Sequence, residues 1–467
     1  MTLAAPPRLC AAICAAILAG SLGYGLLQMP LQVHDSLDEI VAAERSPGVW
    51  ASFTSSIGVA GYFRPLRIAE TKLLFELSGG RAFAAYKAFH IALVMAAFGL
   101  FIALLRIETG LDLAVSLFAL SVFAGIHTFL GLVKEAYPVN HFLQVVVLVL
   151  VAMHLSRSRG ALWIDVAALL TLVAACLTLE SGVLVWVVLA AGRMAGRRGV
   201  SDGALMAATV LVVTYLVVRF TVLPHGMQNA SGYLAERLEP EQIRDRFGPG
   251  LSRFTIYTVL ASICSVLVSE PRAGTFVVLR AWDAGNIPPR MWINIVSSLL
   301  TTVLIALAAW RVSRPPGDGD AKRHRADMRA DFLIFGAVLA VSGAASFTYA
   351  KDEIMSVAGV CYALVAFWAV RDRLMSVRRP GAAVVLATAL LVASSLWAVR
   401  VIGVQHVLRT QAFAFHNDWA TVRDHLPDDP TARSLVTRLR TEALSKPVVN
   451  PWFVPRWADR VFDIDYF

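Results

Sequence analysis

Apolar runs of about 17 to 25 residues recur along this chain, each long enough for one helix to cross a hydrocarbon core about 30 Å thick. Of the 467 residues, 57% are hydrophobic and only 16% charged. Mean hydropathy is +0.64. A water-soluble chain of this length could not hide that balance in one core. The expected fold is an all-α polytopic integral membrane protein of about eleven transmembrane helices. The spans are expected near 9–29, 83–105, 111–131, 140–156, 161–179, 181–192, 203–223, 291–310, 331–349, 354–370 and 381–399. The sixth run is short, so the fifth and sixth are expected to form a tight hairpin that does not cross fully.

Basic residues fix the sidedness, because positive loops stay in the cytoplasm. With a cytoplasmic N-terminus, Arg106, then Arg157 and Arg159, then Arg193, Arg197 and Arg198 fall inside. The run Arg311 to Arg329 follows on that side, and then Arg371, Arg373, Arg378 and Arg379. The C-terminus then lies outside. Residues 1–399 form the expected transmembrane domain, with outer loops at about 30–82 and 223–290, and residues 400–467 a small extracytoplasmic cap. The second outer loop holds an apolar run, Phe254 to Val268, expected to lie as an interfacial or re-entrant helix. The first run follows Arg8 and is long enough to be kept as a signal-anchor helix.

The net charge of +9 sits in short clusters between apolar runs, with no basic patch interleaved with aromatics, so nucleic acid is not an expected partner. All five cysteines lie in apolar segments without metal-ligand spacing and read as packing residues. No phosphate-binding loop, dinucleotide glycine fingerprint or nucleophile elbow is present.

Chemistry is expected on the outer side. The first loop opens with Asp35, Asp38 and Glu39, which share a helix face and can supply a general base, or can simply start a solvated helix. Next come Tyr62, Arg64 and Arg67 in Gly-Tyr-Phe-Arg-Pro-Leu-Arg. Guanidinium groups at an interface bind phosphate oxygens in a bidentate fork, or snorkel to the boundary. Glu135 and His141 follow in Lys-Glu-Ala-Tyr-Pro-Val-Asn-His, and Glu180 stands between the fifth and sixth runs. Arg219 lies near the outer end of the seventh run, where an arginine needs an anion or an escape to the interface, and Lys351 precedes two carboxylates between runs nine and ten. His127 and His154 read as packed or hydrogen-bonded histidines of apolar helices.

A signal-anchor helix, an acidic first outer loop, a Tyr-x-Arg-Pro-Leu element and a histidine leading into the second span together resemble the GT-C membrane glycosyltransferases, above all the protein O-mannosyltransferase and bacterial family-39-like group. The resemblance implies a GT-C-like helical bundle in the bacterial inner membrane. It implies an inverting transferase that moves a sugar from a polyprenyl-phosphate donor to a hydroxyl on a glycan, lipid or protein acceptor. It puts Asp35 as base, with Asp38 as substitute and Glu39 or Glu135 orienting the acceptor. Arg219, Arg64, Arg67 and Lys351 would hold the donor phosphate, and Glu180, His141 and Tyr62 would line the acceptor side. The chain departs from the family where Leu179 replaces a lysine before Glu180, and where Lys351 stands for an arginine. No motif supports a divalent metal. The alternatives are a transporter or flippase for a lipid-linked or anionic solute, and a non-catalytic assembly factor.

Overall fold

The computed structural model describes residues 6–58, 63–79, 81–223, 241, 244, 251–268, 278, 281–313, 321–347, 352–377, 379–422, 429–445, 447–449 and 454–462, without the side chains of residues 34, 35, 56, 58, 251, 252 and 321–324. Among these residues every regular element is helical. In chain order they are α1 (Pro7–Gln28), α2 (Val33–Arg45), α3 (Val49–Gly58), α4 (Pro65–Leu77), α5 (Ala82–Leu104), α6 (Gly110–Gly125), α7 (His127–Val133), α8 (His141–Arg157), α9 (Leu162–Thr178), α10 (Leu184–Met194), α11 (Asp202–Val217), α12 (Leu251–Leu267), α13 (Pro289–Val312), α14 (Ala321–Ala345), α15 (Ser356–Ser376), α16 (Pro380–Thr421), α17 (Pro430–Leu444) and α18 (Ala458–Val461).

Seven helices of the described chain are long and apolar enough to cross a membrane, or eight if the bent pair α6–α7 counts as one span. Every apolar run is therefore helical, but fewer than about eleven reach full length. The reason is local. Asn140 caps α8, its side chain accepting from the Leu143 amide at 3.0 Å, and that helix has 17 residues, the length of its expected run. The turn after α9 stops it at 17 residues too, and α10 has 11.

Helix α15 runs through the middle, with Val357 to Val370 buried on all sides. Helices α6, α7, α8, α13 and α14 surround it. Gly359 makes the fit possible on one side, since a Cβ there would meet the Thr128 hydroxyl at 2.1 Å. Helix α6 opens with a reciprocal cap between Thr109 and Asp112, and ends where Ile126 turns extended, bending α7 away by 59°. The freed Gly125 carbonyl accepts from Arg400 Nε at 2.8 Å. Arg400 is buried, bonds the Ser297 and Ser298 hydroxyls at 3.0 and 2.9 Å, and stacks on Trp397.

One end of the bundle is closed by arginines that the sequence reading assigns to cytoplasmic loops. Asp331, fully buried, receives both Arg157 and Arg197, and the Trp368 indole at 2.7 Å. Arg371 meets Asp112 at 2.6 Å, and Arg311 meets Asp372 at 2.8 Å.

At the opposite end lie α2, α3, α4 and α17. Helix α16 does not stop near residue 399 but continues unbroken to Thr421. No proline interrupts it after its first position, and Trp419 anchors its far end by donating to the Leu31 carbonyl at 2.7 Å. Leu435, Val436 and Leu439 of α17 join Leu31, Ile40 and Phe83 in a second, smaller core. Helix α12 covers part of the run Phe254 to Val268 and packs on α14, where the Thr258 hydroxyl donates to the Phe347 carbonyl at 2.8 Å. Most of the rest of the loop 223–290 lies outside the described residues.

Candidate functional site

The residues that the sequence assigns to separate outer loops meet at this second end. Helix α4 starts with Pro65 in its first turn, which suits the fixed φ of proline and leaves Arg64 as the capping residue. Arg64 thereby projects from the helix start toward α8 and α9. Its Nη2 lies 3.4 Å from Glu180 Oε2, and its Nη1 lies 3.4 Å from His141 Nε2. Guanidinium groups only donate, so His141 accepts through Nε2 and carries its hydrogen on Nδ1, 3.4 Å from the Val139 carbonyl.

Glu180 opens the short 3-10 turn Glu180–Val183 between α9 and α10. The hairpin is tight because Gly182 rests on α9, where a Cβ would lie 2.2 Å from the Ala175 carbonyl carbon and oxygen. Arg219 comes from the last turn of α11, which widens into a π-helical turn, Val218–Val222. Its Nη2 reaches Glu180 Oε1 at 3.2 Å. One carboxylate is thus held between two arginines from different helices. Burial works to raise the Glu180 pKa, but the charge of Arg64, its own backbone amide and Arg219 outweigh it and hold the carboxyl below the usual range.

A second pair stands beside the first. Arg67, one turn along α4 from Arg64, is buried, forms an ion pair with Glu39 of α2, and sits 5.2 Å above the Tyr137 ring. Desolvation lowers the Arg67 pKa, opposed by the Glu39 charge. Tyr137 in turn lies 5.3 Å from the His141 ring, which links the two pairs. Helix α2 is held to the turn before α8 by its Ser36 hydroxyl and the Gln32 amide, both donating to the Ala136 carbonyl.

The structure thus brings Glu39, Arg64, Arg67, His141, Glu180 and Arg219 together. Asp38 is exposed, and no ion pair to it is found among the described residues. Glu135 stands beside the site, its backbone carbonyl accepting from Asn140 at 3.2 Å. Tyr62, Lys351 and the side chain of Asp35 lie outside the described residues, although the backbone of Asp35 is part of α2, one turn before Glu39. Among the described residues, no group of three or more histidine, cysteine or carboxylate side chains is placed to hold a metal ion.

Two participants escape sequence reading. Glu70 and Gln144 hydrogen bond at 2.7 Å on the seam between α4 and α8, immediately beyond the Arg64–His141 contact. The available signal was Gln144 itself, a polar side chain inside an otherwise apolar run. Near α15, His127 Nε2 lies 3.0 Å from Asp352, so this histidine at the α6–α7 break is hydrogen-bonded, one of the two readings expected of it.

The fold defines a multi-pass helical membrane protein with a charged site at one end of its bundle. No family model matches the chain, and neither the curated proteins nor the solved structures contain a match.

Proposed function

We propose that the chain is a GT-C-like membrane glycosyltransferase that moves a sugar from a polyprenyl-phosphate donor to an acceptor hydroxyl, with inversion. The observation that carries this reading is Glu180 held between Arg64 and Arg219, at 3.4 and 3.2 Å. Charge-assisted bonds to carboxylate ordinarily close to about 2.7–2.9 Å. The longer separations suit arginines that can turn from Glu180 to an incoming phosphate.

In the proposed reaction Asp35 removes the acceptor hydroxyl proton as its oxygen attacks the anomeric carbon. The bond from that carbon to the donor phosphate breaks, and the lipid phosphate leaves with the electron pair. Arg64 and Arg219 stabilise the charge on the leaving group, with Lys351 as a further candidate. Arg67 fixes Glu39, which orients the acceptor together with Glu135, while His141 and Tyr62 flank the acceptor. Such a donor needs no soluble nucleotide, which agrees with the sequence. The proposed placement is the bacterial inner membrane, with about eleven crossings once the short helices α8, α9 and α10 are counted, the N-terminus inside and the cap outside.

The test is transfer from a polyprenyl-phosphate sugar by the purified protein in nanodiscs. The Asp35→Asn variant is expected to insert and accumulate normally yet lose transfer. Wild-type activity in that variant would remove Asp35 from the mechanism.

One observation favours a second reading, a transporter or flippase: a broken span with His127 against Asp352 at its bend. Movement of a labelled lipid-linked solute across vesicles, without transfer, would select it.

A further inference from the structure

We propose that Glu70 is a neutral carboxylic acid closed into a two-bonded pair with the Gln144 amide, and that this pair positions Arg64 on the α4–α8 seam. Its positioning role rests on the reading of the site as a lipid-phosphate site; its protonation does not.

Gln144 Nε2 donates to Glu70 Oε1 at 2.7 Å, while Glu70 Oε2 and Gln144 Oε1 are both buried without a hydrogen-bond partner. A carboxylate and an amide oxygen can only accept. Two buried acceptors with no donor for either each carry the desolvation penalty of an unsatisfied polar atom. A single proton on Glu70 removes both defects: Oε2–H donates to Gln144 Oε1, and the acid and amide face each other through two hydrogen bonds.

Among the described residues, no ion pair to Glu70 is found, and the cations on α4 are engaged elsewhere. On α4, Arg64 is turned to Glu180 and His141, Arg67 to Glu39 and Tyr137, and Lys72 to Glu76 and the Phe75 ring. From α2 the facing charge is Glu39, already bound to Arg67. Helix α3 contains no charged residue. From α5, the Tyr86 hydroxyl donates to the Thr71 carbonyl and His90 contacts Asn140. Helix α8 brings His141, bound to Arg64; α9 has Cys176 near this end and Asp165 far away on the Ser201 amide. Burial pushes the Glu70 carboxyl up to about 7, with the Gln144 bond pulling the other way. The group therefore changes charge near neutrality, unlike an ordinary glutamate.

The pair has leverage because of its position. Glu70 follows Arg64 along α4, and Gln144 follows His141 by one turn of α8, so the two contacts lie on one seam. Ionising Glu70 leaves an uncompensated charge there and loosens the register that holds Arg64 against His141.

Infrared spectra of the full-length protein in nanodiscs, from about pH 5 to about pH 9, test the protonation. A protonated-carboxyl band should be present at the acid end, fade as pH rises through neutrality, and be missing from Glu70→Gln. In Gln144→Leu the band should persist but shift, having lost its amide partner. If the spectra of wild type and Glu70→Gln show the same protonated-carboxyl bands, the neutral acid is overturned. If Glu70→Gln does not fold, the Gln144→Leu shift decides the same point, and its absence overturns the pair.

Binding of a short-chain polyprenyl phosphate tests positioning. Wild-type affinity should fall about tenfold across neutrality and that of Glu70→Gln should stay flat. Equal pH dependence in both overturns the positioning role. A band that titrates with no polyprenyl-phosphate binding at any pH overturns the lipid-phosphate reading while the neutral acid stands.

Discussion

Arg219 reaches Glu180 across 3.2 Å from a helix end that has widened into a π-turn, the Leu223 amide donating to the Val218 carbonyl. The widened turn leaves Arg219 almost fully buried at the end of an apolar helix, where a guanidinium needs an anion. The Arg219→Ala variant should weaken polyprenyl-phosphate binding about tenfold or more and leave acceptor binding nearly unchanged. Equal binding of the donor by both proteins would reduce Arg219 to a structural partner of Glu180.

Glu180 and Glu70 give the site opposite responses to pH. The folded-state pKa of Glu180 is below its ordinary value of 4.5, so its contribution to stability is present above about pH 4.5 and lost on acidification. That of Glu70 is raised from 4.5 to about 7, so its contribution is complete below about pH 4.5 and lost as pH rises toward 7. Thermal unfolding in detergent should therefore show a shallower acid limb in Glu180→Gln and a shallower decline from pH 4.5 to 7 in Glu70→Gln, each compared with wild type.

Asp38 and Asp35 are separable by substitution. Asp38 is exposed, so Asp38→Asn should change stability by no more than about 0.5 kcal/mol. It should also keep transfer activity where Asp35→Asn loses it. If Asp38→Asn is the inactive variant, the base moves along α2 by one turn.

Asp331 is the most consequential carboxylate at the far end. It is fully buried and takes Arg157, Arg197 and Trp368 at once. Asp331→Asn leaves two arginines without their counter-ion and should cost about 3–5 kcal/mol, read as a large fall in Tm and poor accumulation in the membrane.

Legibility in the sequence followed the range of the interactions. Apolar run length located the long apolar helices, because the pattern is local, but not α3, α4 or α17, and the positions of Arg64, Arg67, Glu180 and Arg219 stood out as charges beside apolar runs. Their convergence needed the fold. Glu70 was invisible because it lies among Arg67, Lys72 and Glu76, where a carboxylate looks like ordinary solvated surface, and because its partner is 74 residues away. The break at Ile126 carries no proline, and what stabilises it is Arg400, 275 residues on from Gly125. The arginines expected on the cytoplasmic side looked like free positive charge, yet Arg157, Arg197, Arg311 and Arg371 are paired with carboxylates supplied from other helices.

Helix α16 has 42 residues without interruption, about 63 Å of rod at 1.5 Å per residue, roughly twice the hydrocarbon thickness. Its two halves share one phase. Adding a single residue between Arg400 and Trp419 would swing the indole by about 100° and carry it off the Leu31 carbonyl, while leaving Arg400 under the broken span. Length in this part of the chain is thus quantised: insertions are tolerable only in steps that restore the rotation, and drift in loop length must be absorbed elsewhere.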